Sequence, residues 1–244
     1  MTYLSRIWIN PQRAQSRRLL GDRQAMHAAV LAGIPDVAAE TRVLWRVDVD
    51  DPHRPGLLVL TRNRPSWEHL VEQAGWPQSD VVQAETRPYD TLLDRLAPDR
   101  EFAFRLTANP AVSSSRPQKL TKAQAERGDG GELPRSTRLG HRTVRHQLDW
   151  LTSRVAGWGF EVPQPTDLDE DGSARDVRIV RRERSSFSRG RGGQKVTLQV
   201  VTYEGRMRVI DPFRLRDQLL AGFGPAKAYG CGLMTLAPLP ERGA

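Results

Sequence analysis

The sequence predicts an α+β chain in which one order of elements, strand–helix–strand–strand–helix–strand, occurs twice. Three observations carry this. Period-two alternation opens the chain and returns just after residue 100. A helix-period apolar stripe follows each of those strands. Gly, Pro and Asp separate the segments at short intervals.

The first half reads as follows. Residues 3–9 alternate, with Tyr3, Ser5, Ile7 and Ile9 facing one way and Leu4, Arg6 and Trp8 the other, so they form a strand. Residues 22–32 form a helix with Met26, Ala29, Val30 and Gly33 on one face, stopped by Gly33 and Pro35. Residues 42–49 and 56–61 are strands around a turn containing Asp50, Asp51 and Pro52. Residues 66–75 form a short helix with Ser66 as its N-cap. Residues 81–86 close the sheet. This order is the ferredoxin-like signature.

The second half restarts it. Residues 101–108 alternate Phe102, Phe104 and Leu106 against Ala103, Arg105 and Thr107. Residues 113–139, rich in Ser, Gly and Arg, read as a long loop. Residues 141–158 form a helix on the stripe Val144, Leu148, Leu151 and Val155. Residues 163–172 are a linker, and 195–210 read as a hairpin turning at Glu204 and Gly205. Asp211 caps a helix with Pro212 in its first turn, and Gly222 ends it. Residues 233–236 are the last strand. The expectation is two tandem ferredoxin-like modules, at 1–95 and 96–244.

Composition narrows the function. The 244 residues are 38% hydrophobic, enough for a core, and no run approaches the ~18–20 apolar residues of a membrane span. The N-terminus carries no charged-then-apolar leader, so a cytoplasmic protein without a membrane partner is expected. Cys231 is the only cysteine, which excludes an internal disulfide and a cysteine-cluster zinc site. The net charge of +8 points first to nucleic acid. Lys119, Lys122, Lys195 and Lys227 are the only lysines among 37 basic residues. Arginine presents a planar fork that pairs with phosphate and stacks on bases.

Two basic runs concentrate that charge. Arg175, Arg178, Arg181, Arg182, Arg184, Arg189, Arg191 and Lys195 face only Asp176 and Glu183, and the run ends on a Gly-rich tip. A phosphate-backbone role and a plain solvated loop both fit. The second run, from Arg116 to Arg145, is interleaved with Gly and acids, so disorder competes there. His53 and His69 lie near polar turns or a helix surface, whereas His141 and His146 start a helix amid arginines. His27 borders an apolar helix stripe with Arg23 one turn before it; by itself it reads as a packed or solvent-facing histidine. There is no metalloprotease or calcium-loop spacing and no nucleophile elbow, and no metal or cofactor is expected.

Residues 222–239, GFGPAKAYGCGLMTLAPL, hold Gly222, Gly224, Gly230 and Gly232 around Lys227. A Gly-rich loop with exposed N–H groups and a lysine can hold phosphate, but it matches neither a Walker loop nor a dinucleotide fingerprint. By pattern it is a turn before the last strand.

That stretch resembles the C-terminal signature of the CRISPR-associated endoribonuclease CasE family, the precursor-crRNA processing subunit of Cascade. MTYLSRIWIN and QAMHAAVLAGIP at the start, FRLTANP at 104–110 and QVVTYEGRMRV at 199–209 fall in the family's order, so the resemblance spans nearly the whole chain. It implies the same tandem fold and a metal-independent endoribonuclease. Such an enzyme binds the CRISPR repeat hairpin and cuts at the 3′ base of its stem by attack of the 2′-hydroxyl. It then keeps the crRNA alongside other Cascade subunits. The resemblance makes His27 the proton-transfer residue and Lys195, in GGQKVTLQVV, the stabiliser of the charged phosphate. Arg23, Gln24, Arg182, Arg184, Arg189, Arg191, Gly224, Lys227, Tyr229, Gly230 and Gly232 are the expected RNA-binding residues. Family members often carry a tyrosine three residues before the histidine, where this chain has Gln24. Glutamine orients by hydrogen bonds but cannot donate a proton as a phenol does. Tyr229 is the candidate replacement.

Two other readings compete. A non-catalytic RNA-binding scaffold of the same fold needs neither His27 nor Lys195. A small-metabolite phosphate enzyme would not need so many arginines.

Overall fold

The computed structural model describes residues 1–38, 40, 42–114, 137–164, 176–188 and 195–239. The first sheet is built from β1 (Tyr3–Trp8), β2 (Leu44–Asp48), β3 (Gly56–Thr61) and β4 (Ala84–Pro88), in the order β2-β3-β1-β4. On one face lie α1 (Ala14–Gly21), α2 (Arg23–Ala32) and α3 (Glu68–Ala74). Ile7, Leu57 and Val59 of the sheet bury there against Leu19, Met26, Val30 and Leu70. β3 is buried at every position, so its sequence GLLVLT shows no alternation. Its Leu58 and Leu60 look the other way, into a core shared with Phe104, Leu106 and Phe223 of the second half.

After α4 (Asp90–Leu93), the second half contributes β5 (Glu101–Ala108), β6 (Ala111–Ser114), β7 (Thr137–Gly140), α5 (Val144–Thr152) and β8 (Phe160–Glu161). It continues with β9 (Val177–Ser188), β10 (Lys195–Val209), α6 (Pro212–Ala221) and β11 (Met234–Ala237). The second sheet runs β11-β5-β10-β8, with β9 also pairing with β10. β10 meets β5 on one edge and both β8 and β9 on the other. In each sheet the module's first strand therefore sits between its third and fourth, with its second outermost, which is the ferredoxin-like arrangement. No helix among the described residues is long and apolar enough to cross a membrane.

Several elements differ from the expectation. Glu204 and Gly205 make no turn; they lie inside a single 15-residue strand. The glycine is needed for close approach, since a Cβ there would lie 2.3 Å from the Asp176 carbonyl oxygen. Residues 177–188 of the basic run form β9 rather than a loop. The supposed loop 113–139 begins and ends in the β6–β7 pair. Its interior and most of the linker 163–172 lie outside the described residues. Ser66 does not cap α3. The helix starts after Trp67, buried to 4% exposure, because the indole packs over Gly33. On α5, Val144 is exposed and Gln147, Trp150 and Leu151 are buried. The Trp150 indole donates to the Ala111 carbonyl, which fixes the face the helix turns inward. The Asp211 cap of α6 is as expected, accepting from the Arg214 N–H.

Buried Arg46 ties the two sheets together. Its guanidinium pairs with Asp48 at 2.7 Å and donates to the Arg105 carbonyl at 2.7 Å, the Leu233 carbonyl at 3.2 Å and Thr235 Oγ1 at 2.8 Å. A cleft of about 930 Å³ opens beside it; of its other arginines, Arg105, Arg178 and Arg206 are paired with acids, and Arg6 lies over the Trp8 ring.

Candidate functional site

α2 begins at a strong cap. The Asp22 side chain accepts from the N–H groups of Gln24 and Ala25, satisfying two donors that the first turn leaves free. Met26 and Val30 anchor the helix in the core. His27, next to Met26, is half-buried at the core's edge. Its Nδ1 is buried with no hydrogen-bond partner. Burial lowers its pKa from the ordinary 6.5, because charge is costly to desolvate. Gln24, one turn earlier, is partly buried beside the cap.

Arg23, expected to meet RNA, has a side chain only 17% exposed, and three of its N–H groups donate inside the protein. It donates to the Tyr229 carbonyl at 2.9 Å, to Ser185 Oγ at 3.2 Å and to Glu183 Oε1 at 3.2 Å. The His27 helix is thereby joined to the glycine stretch and to β9.

The glycine stretch is a packed loop. Lys227–Tyr229 form one 3-10 turn against α2 and β2. Gly224, Gly230 and Gly232 have φ of +71°, +75° and +92°, a region that only glycine enters without strain. A Cβ at Gly230 would lie 2.6 Å from the Trp45 ring, and one at Gly224 2.9 Å from that of Trp150. Gly230 and Gly232 are buried, so they shape the loop rather than present their own atoms to a backbone outside. Gly224, Lys227 and Tyr229 are partly exposed. The Lys227 pKa is lowered by burial and then by nearby Arg42, both of which disfavour its charged form. The Tyr229 ring packs on Phe187 at 4.7 Å, beside buried Cys231.

β9 sorts the basic run by face. Glu183, Ser185 and Phe187 turn toward α2 and the loop. On that side the charge is largely balanced, Glu183 pairing with both Arg23 and Arg181. Arg182 and Arg184 turn outward and are exposed. Arg182 donates to the Arg142 carbonyl, which brings this face to the start of α5, where Arg142 and Arg145 are also exposed. None of these four arginines has an acidic partner among the described residues. The register slips between Thr202 and Tyr203, leaving Val180 as an extra, exposed residue.

The structure thus gathers His27, Arg23, Gln24, Lys227, Tyr229 and Gly230 around the start of α2, and sets Arg182 and Arg184 across β9 from them. Lys195 opens β10, its main chain opposite Ser188; its side chain lies outside the described part. Arg189 and Arg191 also lie outside the described residues. Sequence reasoning missed Glu183, Phe187 and Trp45. The alternation of Arg182, Arg184 and Ser186 against Glu183, Ser185 and Phe187 was the available signal for the first two. Nothing local to Trp45 points to a loop 185 residues later, since only Gly230 was readable there. Among the described residues no three His, Cys, Asp or Glu side chains gather as metal ligands.

Known proteins share this fold. Residues 2–238 match the family described as CRISPR associated protein. The chain is 28% identical over 243 residues to the CRISPR-associated endoribonuclease Cse3 of Thermus thermophilus, covering 97% of this chain and 100% of the relative. It is 29% identical over 184 residues to the CRISPR system Cascade subunit CasE of Escherichia coli, covering 74% and 80%. The solved structure of Thermus thermophilus Cse3 bound to an RNA representing a pre-cleavage complex superposes with a TM-score of 0.71 at 26% identity, covering 97% and 99%. The match spans nearly the whole chain, and the chain belongs to this family of CRISPR-associated proteins.

Proposed function

We propose that this chain is an endoribonuclease that binds the CRISPR repeat hairpin, cuts precursor crRNA at the 3′ base of the stem, and keeps the product within Cascade in the cytoplasm. The observation that carries the reading is the joining of the His27 helix to the glycine loop and β9 through Arg23. The kinship to an endoribonuclease, and to a structure of it bound to RNA, supports it. We divide the chain into modules 1–95 and 96–244.

In the proposed reaction the 2′-hydroxyl upstream of the cut attacks its own phosphate. The bond to the 5′ oxygen of the next nucleotide breaks. The products are a 5′-hydroxyl and a 2′,3′-cyclic phosphate, which can open to a 3′ phosphate. The RNA supplies the nucleophile, so the protein supplies a base, an acid, positive charge and alignment, without a metal. His27 transfers the proton. Its lowered pKa makes it neutral near neutrality, fit to accept one, and with Nδ1 sealed in protein Nε2 is the atom for the exchange. Lys195 stabilises the phosphate charge, and Lys227 with the main chain at Gly224 holds backbone nearby. Arg182, Arg184, Arg189 and Arg191 hold the stem through its phosphates.

The test is cleavage of the host's own repeat hairpin in excess EDTA. Cutting should persist, and a single 2′-deoxy substitution just upstream of the cut should stop it while binding is kept. Efficient cutting of the deoxy substrate would sink the mechanism. Tight binding with no cutting of either RNA would favour the scaffold reading.

A further inference from the structure

We infer that Arg23 is a positioning residue for the proposed cleavage, an internal clamp that sets His27 against the glycine loop and not a contact to RNA. The inference rests on the reading of His27 given above. Arg23 occupies the first position of α2, where a cation opposes the helix dipole. Its place is explained by what it holds. One guanidinium reaches three separate groups: the Tyr229 carbonyl in the loop, and Ser185 and Glu183 on β9. His27 stands one helical turn further on, so Arg23 and His27 share a side of α2.

The geometry gives Arg23 a task that Gln24 leaves undone. Among the described residues no side-chain hydrogen bond of Gln24 or His27 ties this turn to the loop, and the His27 Nδ1 is unpartnered. The helix is held from below by Met26 and Val30 in the core, which resist withdrawal. Apolar contact is non-directional, so it does not by itself fix rotation about the helix axis. The planar fork of Arg23, with donors aimed at fixed acceptors, does. Displacements of about 1 Å at a reacting group can cost about 10²-fold in rate.

Arg23→Ala and Arg23→Lys test this on the full chain, with the host repeat hairpin as the probe. Under single turnover at saturating protein, Arg23→Ala should cut about 10- to 100-fold more slowly. Hairpin affinity and its salt dependence should match wild type. Arg23→Lys, which can keep one of the three hydrogen bonds, should recover part of the rate. In hydrogen exchange, the amides of 26–30 should lose protection in Arg23→Ala while those of α3 do not. Weaker binding with a flatter salt slope, and a normal rate at saturation, would make Arg23 an RNA contact and overturn the inference. Unchanged rate and unchanged exchange would overturn it as well. A uniform loss of protection across α2 and α3 would reduce Arg23 to a stability role. His27→Ala, run beside these, separates the two ideas: if it cuts at the wild-type rate, the catalytic reading of His27 falls, whereas the exchange result judges the clamp alone.

Discussion

The Arg23 guanidinium lies 2.9 Å from the main-chain oxygen of Tyr229, across 206 residues of sequence. This hydrogen bond turns two weak local patterns, a lone histidine on a helix and a cluster of glycines, into one site.

His27 is half-buried at the edge of its helix, and Met26 and Val30 carry the packing. Removing a general acid or base typically slows a reaction by about 10²–10⁴-fold. His27→Ala should lower single-turnover cleavage by that order, with hairpin affinity and melting temperature close to wild type. A well-folded mutant that still cuts at the normal rate removes His27 from the mechanism.

Phosphate affinity should sit on the outward face of β9. Arg182 and Arg184 are exposed and have no acidic partner among the described residues, whereas Arg181 pairs with Glu183 at 3.3 Å. Removing a side chain that neutralises one phosphate reduces the slope of log K against log salt by about 1. The Arg182→Ala, Arg184→Ala double variant should flatten the slope by up to about 2, and Arg181→Ala should leave it nearly unchanged. Binding titrations at several salt concentrations check this. Equal slopes in the double variant and wild type would place the phosphates elsewhere.

Burial holds the His27 pKa below 6.5. A base of this kind works in its neutral form, so cleavage should rise with pH through an ionisation below 6.5 and level off before neutrality. Stability follows the same sign. In that window the unfolded state binds more protons than the folded one, so the contribution of His27 is full above 6.5 and falls on acidification. His141 acts in the same direction, lowered by burial first and then by His146 and Arg154. A rate–pH profile of wild type, with melting followed across the same range, checks both. A limb centred above 6.5 would assign the base to another group.

Gly230 is held at φ +75° with the Trp45 ring where a Cβ would go. A non-glycine residue in a strained backbone region costs about 1–3 kcal/mol. Gly230→Ala should therefore lower stability by about that amount. It should also shift the neighbouring Tyr229 carbonyl away from Arg23, so cleavage should fall more than hairpin binding. Chemical denaturation and the two RNA assays on one preparation test it, and a fully stable variant would show that Trp45 yields without cost.

The sequence by itself determined the tandem fold, because period-two and helix-period patterns are local and survive without neighbours. The first strand, the α2 helix, β3, β5 and the Asp211-capped α6 were all legible, whereas the capping role of Asp22 was not. Local pattern failed where a distant partner sets the conformation. Gly205 looked like a turn because glycine often is one, but it is there to let Asp176 approach. β9 looked like a loop because arginines hid its alternation, and pairing with β10 makes it a strand. For the site, sequence and family resemblance supplied His27, the basic run and the glycine loop. Only the tertiary structure decided that Arg23 turns inward, that Gly230 makes room for Trp45, and that Arg182 and Arg181 face opposite ways. The reason is physical. A side chain's charge and size are written in the sequence, but whether a guanidinium meets a carbonyl, a carboxylate or open solvent depends on which remote segments folding brings within about 3 Å of it.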